Sequence, residues 1–99
     1  MKPYISYVDY MVREYFARAG QKSAPSDIDR QNDGICTDVL RGIPQQDVRI
    51  LHDVFQLTEK FSMNECVRRF CLDSGADSKT VWALVRKITD EIARRKGLI

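Results

Sequence analysis

Lys79, Arg86 and Lys87, with Ser78, Thr80, Trp82 and Ala83 set among them, are the residues of this chain whose types and spacing suit a definite chemistry. Asp77 stands just before them and is a residue type that caps helix N-termini, which would put them on the first exposed turns of a helix. At such positions a lysine can donate to guanine O6 or N7, and threonine or alanine can meet a thymine methyl. An arginine and a lysine one turn further on can hold phosphates. The charge distribution agrees. From Asp77 onward there are six basic residues (Lys79, Arg86, Lys87, Arg94, Arg95, Lys96) against three acidic ones (Asp77, Asp90, Glu91), a net +3. The whole chain is only +2, so the rest sums to −1. Phosphate attraction follows local potential, so this asymmetry counts for more than the mean. Two plainer readings stand beside it. A charge-rich helix face is often simply solvated, and Trp82 is large enough to close a helical bundle instead of meeting a base.

Catalysis and metal binding find little support. The sequence has no glycine-rich phosphate loop, no H-E-x-x-H and no G-x-S-x-G. Its one histidine, His52, pairs with a cysteine only by arbitrary choice, so no catalytic residue is expected. Cys36, Cys66 and Cys71 are odd in number and lack C-x-x-C spacing, which leaves no zinc set, no disulfide framework and no implied cofactor. Cys66 and Cys71 read as small buried hydrophobes. That usage fits a reducing cytoplasm. No apolar run approaches the roughly 20 residues needed to span a bilayer, and no signal-peptide core is visible, so no membrane partner is expected.

The elements that must position these residues are helices. Tyr4, Ile5, Val8, Met11, Val12, Tyr15, Phe16 and Ala19 recur at three- and four-residue steps, predicting an N-terminal amphipathic helix within 1–20, stopped by Gly20. Tyr7 and Tyr10 lie partly off its stripe, where they can rim the core or anchor a partner. Residues 21–26 read as a loop. Asp27 or Asp29 can cap a short helix carrying Ile35, Cys36, Val39 and Leu40, ended by Gly42 and weakened by Gly34. Pro44 suits the first turn of a helix with Val48, Leu51, Val54 and Phe55 on its buried side and Leu57 near its end.

Ser62-Met63-Asn64-Glu65 forms a capping box, with the serine taking an N–H and the glutamate reaching back. Met63, Val67, Phe70 and Cys71 line the helix it opens, which ends near Ser74-Gly75. The last helix turns Val81, Leu84, Val85, Ile88 and Ile92 inward. The expected fold is a single all-α domain over 1–99, with about five helices and a C-terminal helix-turn-helix.

Over 43–99 the order of features resembles region 4 of sigma-70-type factors. The stretches that carry the likeness are Ile43-Pro44-Gln45-Gln46-Asp47-Val48-Arg49-Ile50-Leu51, Ser62-Met63-Asn64-Glu65-Cys66-Val67 and Asp77-Ser78-Lys79-Thr80-Val81. Thr80-Val81-Trp82 and Ile92-Ala93-Arg94-Arg95-Lys96-Gly97-Leu98-Ile99 also resemble small phage-encoded late-transcription regulators of the ArpU/RinA kind. Leu72-Asp73-Ser74 departs from the compact sigma pattern as an added piece before the turn. The resemblance implies a cytoplasmic, phage- or prophage-type transcriptional regulator that binds double-stranded DNA and touches RNA polymerase. By position it implies Lys79, Thr80, Trp82 and Ala83 as base readers, with Arg86 and Lys87 on the backbone. The alternative is a helical interaction module, or a phage assembly or packaging module, docking a partner or a second copy through the tyrosine-rich helix.

Overall fold

Hydrophobic periodicity near 3.6 residues builds every element here. The computed structural model describes residues 4–18 and 26–99, and these form five α-helices and one 3₁₀ turn with no strand. The helices are α1 (Tyr4–Ala17), α2 (Asp27–Arg41), α3 (Gln45–Gln56), α4 (Met63–Ser74) and α5 (Ser78–Lys96), with the 3₁₀ turn at Leu57–Glu59. Among the described residues no helix is long and apolar enough to cross a membrane.

α5 is the organising element, because it touches each of the other four helices. Its buried residues are Val81, Val85, Ile88, Thr89, Ile92 and Ala93. Against them pack Val8, Met11 and Val12 of α1, Cys36, Val39 and Leu40 of α2, Leu51, Val54 and Phe55 of α3, and Cys66 and Val67 of α4. Leu84, expected to face inward, is half-buried instead. It lies beside the Val81–Val85–Ile88–Ile92 stripe, about 70° round the helix from its centre, and borders a groove toward Ile50 of α3. Cys66 is buried as expected, and its thiol donates to the Phe61 carbonyl at 3.5 Å; Cys71 is only half-buried.

The helix ends follow local chemistry, with two corrections. α2 is capped by Ser26, not by Asp27 or Asp29: Ser26 Oγ accepts the Asp29 N–H at 3.2 Å and donates to the Asp29 carboxylate at 2.8 Å. The residue assigned to the end of a loop is therefore the first fixed point of the helix. The expected stop at Gly20, the core position at Ala19 and the loop over 21–25 lie outside the described residues. Pro44 sits one position earlier than expected, as the N-cap of α3. Arg18 ties the end of α1 to α2: it is nearly buried and donates to Asp33 through two nitrogens at 3.0 and 2.7 Å, with Glu14 and Asp29 close by. The bond to Asp33 holds its guanidinium protonated more firmly than usual.

The tyrosines of α1 are mainly structural. Tyr4, Tyr7 and Tyr15 pack against the core, and the Tyr7 hydroxyl accepts from Asn32 Nδ2 at 3.1 Å. Tyr10 is the exposed one, at 40%. Its ring lies 5.7 Å from the Arg13 guanidinium.

Candidate nucleic-acid interface

The candidate interface is built on the turn between α4 and α5. Ser62 Oγ accepts the Glu65 N–H at 3.3 Å and starts α4. The Glu65 carboxylate, expected to reach back to the cap, is instead held by Arg68 and by Arg69, the latter at 3.0 Å. The Arg68 hydrogen bonds keep that carboxyl below its ordinary range. α4 ends at Gly75, whose φ of 76° is left-handed and whose N–H donates to the Cys71 carbonyl at 2.9 Å. A side chain at Gly75 would meet that backbone penalty, which is why glycine closes the helix. Leu72-Asp73-Ser74, the added piece, forms the last turn of α4 and leaves only Gly75-Ala76-Asp77 between the helices. Asp77 Oδ2 then accepts both the N–H and the hydroxyl of Thr80 at 3.0 Å, fixing the first turn of α5.

The seven residues singled out from sequence fall into two groups. Ser78, Lys79, Thr80, Ala83, Arg86 and Lys87 are exposed. At about 100° per residue, Lys79, Ala83, Arg86 and Lys87 occupy an arc of roughly 100° on one open face. Trp82 stands apart. It is half-buried, packs against the core, and carries the Arg86 guanidinium 5.5 Å from its ring. The packing agrees with the reading in which Trp82 closes the bundle, and its ring also carries Arg86. The Thr80 hydroxyl proton is committed to Asp77, so what Thr80 can offer is its methyl group and its oxygen lone pairs.

Pairing sorts the basic residues more sharply than sequence position does. Arg94 and Arg95 both bind Glu91, at 2.9 and 3.0 Å, and Lys96 donates to Gln31 at 3.1 Å. Lys79 and Lys87 have no hydrogen-bond or ion-pair partner among the described residues, and Arg86 has only its stack on Trp82. Within α5 the uncommitted cations therefore lie in the N-terminal half, with exposed Asp90 marking where the basic face stops; elsewhere Arg41, Arg49 and Lys60 are likewise exposed and without a hydrogen-bond or ion-pair partner among the described residues. Sequence reasoning missed Asn64 and Arg68, which share the α4–α5 groove with Ser78 and Trp82. Their i,i+4 spacing on a helix was the available signal.

Elsewhere, His52 sits at a boundary, with Nδ1 3.2 Å from the Asp53 carboxylate and its ring edge-on to Phe16. Among the described residues no group of three or more His, Cys, Asp or Glu is placed to hold a metal ion. Comparison with protein-family models, with curated proteins and with solved structures finds no match to this chain.

Proposed function

We propose that this chain binds double-stranded DNA through the N-terminal half of α5, as a transcriptional regulator of the phage or prophage type. The observation that carries the reading is the set of uncommitted cations Lys79, Arg86 and Lys87 on one exposed face, directly after a short capped turn. A solvated helix face would spread its cations or pair them, as the C-terminal half of α5 does at Glu91. In this reading Lys79, Thr80 and Ala83 approach base edges, while Arg86 and Lys87 hold phosphates; Ser78 and Arg68 flank them. Trp82 orients Arg86. RNA polymerase is the protein partner that the sigma-like order of elements suggests.

The interaction-module alternative rests on α1, and there the packing of Tyr4, Tyr7 and Tyr15 leaves Tyr10 as the exposed aromatic. That is a small anchor for a partner.

Anisotropy of labelled duplexes at several salt concentrations tests the proposal. Two or three phosphate contacts give a log–log salt slope of about −2 to −3. Arg86→Ala weakens binding to all duplexes alike and flattens the slope by about one unit. Lys79→Ala costs about 1–3 kcal/mol on a preferred site and little elsewhere. Equal, sequence-blind losses for both variants would reduce the face to a merely basic surface, and absence of binding would transfer the argument to the interaction module.

A further inference from the structure

A cavity of about 430 Å³ opens where α1, the start of α4 and the middle of α5 meet. Its size falls within the roughly 300–1,000 Å³ of small-molecule sites. The walls come from Ile5, Met63, Trp82 and Val85, and two carboxylates, Asp9 and Asp90, face it along with the Arg86 guanidinium. Two carboxylates against one guanidinium leave the cavity with a net negative charge when both acids are ionised.

Asp9 is the unusual member. It is half-buried and forms no ion pair among the described residues. Arg13, the cation that acts on it from the same helix, also donates to the Thr58 carbonyl at 3.4 Å with its guanidinium by Tyr10. Burial raises the Asp9 carboxyl to about 6, against the opposing pull of Arg13. An ionised carboxylate in an apolar recess destabilises the fold, and a neutral side chain there would spare the molecule that cost. What offsets the cost is a cation, and the cavity beside Asp9 has room for one with an apolar body.

We propose that this cavity binds a small apolar ammonium compound, its charge against Asp9 and Asp90 and its body against Trp82, Met63, Ile5 and Val85. The cation restores the electrostatic partner that Asp9 lacks, and the indole face of Trp82 adds a cation–π or stacking surface. Because Arg86 belongs to the α5 face described above and stacks on Trp82, occupancy reaches that face through this pair. Ligand binding itself does not depend on DNA binding, and the two fail separately.

The test uses the full chain and 2-phenylethylammonium as the probe, with 2-phenylethanol and phenylacetate as its neutral and anionic counterparts. Trp82 is the one tryptophan of the chain, so intrinsic fluorescence reports directly on the cavity. At about pH 7.5, where Asp9 is ionised, the ammonium probe gives a saturable change with half-saturation on the order of 1 mM, as suits a compound of its size. The neutral and anionic probes bind about tenfold more weakly or not at all. Asp9→Asn lowers affinity for the ammonium probe about tenfold and leaves that for 2-phenylethanol unchanged. Asp90→Asn, at an exposed position that folding does not depend on, lowers it about threefold. Methyl chemical shifts of Ile5 and Val85 are followed in the same titrations, so a silent fluorophore does not hide binding. No saturable response in either signal up to about 10 mM, ammonium affinity unchanged in both variants, or phenylacetate binding as tightly as the amine overturns the proposal.

Discussion

Replacing Asp9 by asparagine should make the protein more stable at neutral pH and leave it unchanged in acid. The carboxyl titrates near 3.8 when the chain is unfolded and at about 6 in the fold, chiefly because burial disfavours its charge. A folded-state value above the unfolded one means the folded state holds its proton more tightly, so stability falls as pH rises from about 4 to about 6 and stays low above that. At about 1.4 kcal/mol per unit the full difference would approach 3 kcal/mol. Asp9 is only half-buried, and solvent screening brings the expected effect to about 1 kcal/mol. The groups facing it are Arg13 on its own helix, Cys66 on α4, and Arg86 and Asp90 on α5. Asparagine keeps the shape of the protonated acid and removes the charge. Urea unfolding followed by circular dichroism should show Asp9→Asn about 1 kcal/mol more stable than wild type at about pH 7.5, or some 4–8 °C in Tm, with the gain vanishing near pH 4. Other titrating groups cancel in the difference between the two proteins. A gain that does not vary with pH, or a loss at neutral pH, would refute the assignment of a desolvated, unpaired Asp9.

Three further substitutions test the packing. Leu51 is fully buried and Leu84 half-buried, so Leu51→Ala should cost about 3–5 kcal/mol and Leu84→Ala only about 1–2 kcal/mol in denaturant titrations. Gly34 lies within α2, and a Cβ added there meets nothing within 4 Å, so Gly34→Ala should raise stability by about 1 kcal/mol in thermal melts.

Local chemistry made most of the fold readable. The apolar stripes of α1, α3 and α5 recur at helical spacing, and Ser62, Gly75 and Asp77 are residue types whose caps form within three or four residues of themselves. What resisted reading was choice among equivalents. Ser26, Asp27 and Asp29 are all capping types, and only the backbone turn decides that Ser26 takes the cap and Asp29 answers it. Glu65 had two claims on it, the cap N–H behind and the arginines ahead, and the charge-assisted bonds to Arg68 and Arg69 prevail. Leu84 is only half-buried while Thr89 is buried, because burial on α5 depends on which helices flank it. The cavity around Asp9 was not legible at all, since Asp9, Met63 and Trp82 come together only when three helices are docked.

The free charge on α5 also bounds how the proposed regulator can work. Lys79, Arg86 and Lys87 are the three unpaired cations of α5, and Asp90 ends the basic face about one turn beyond Arg86. Each neutralised phosphate contributes about 0.9 to the salt slope, so three cations supply only a small electrostatic share of affinity. On the proposed reading, one copy of this chain would bind duplex DNA weakly at physiological salt, and useful affinity would require a second attachment. A polymerase contact or a second copy would provide it through effective concentration, multiplying a weak DNA contact by as much as about 10²–10⁴ without adding a single cation. On this view α5 contributes placement more than strength. Because linked contacts multiply, substitutions at Lys79 and Arg86 should weaken the doubly attached complex by about the same factor as the lone chain, a ratio that DNA titrations with and without the second attachment would measure.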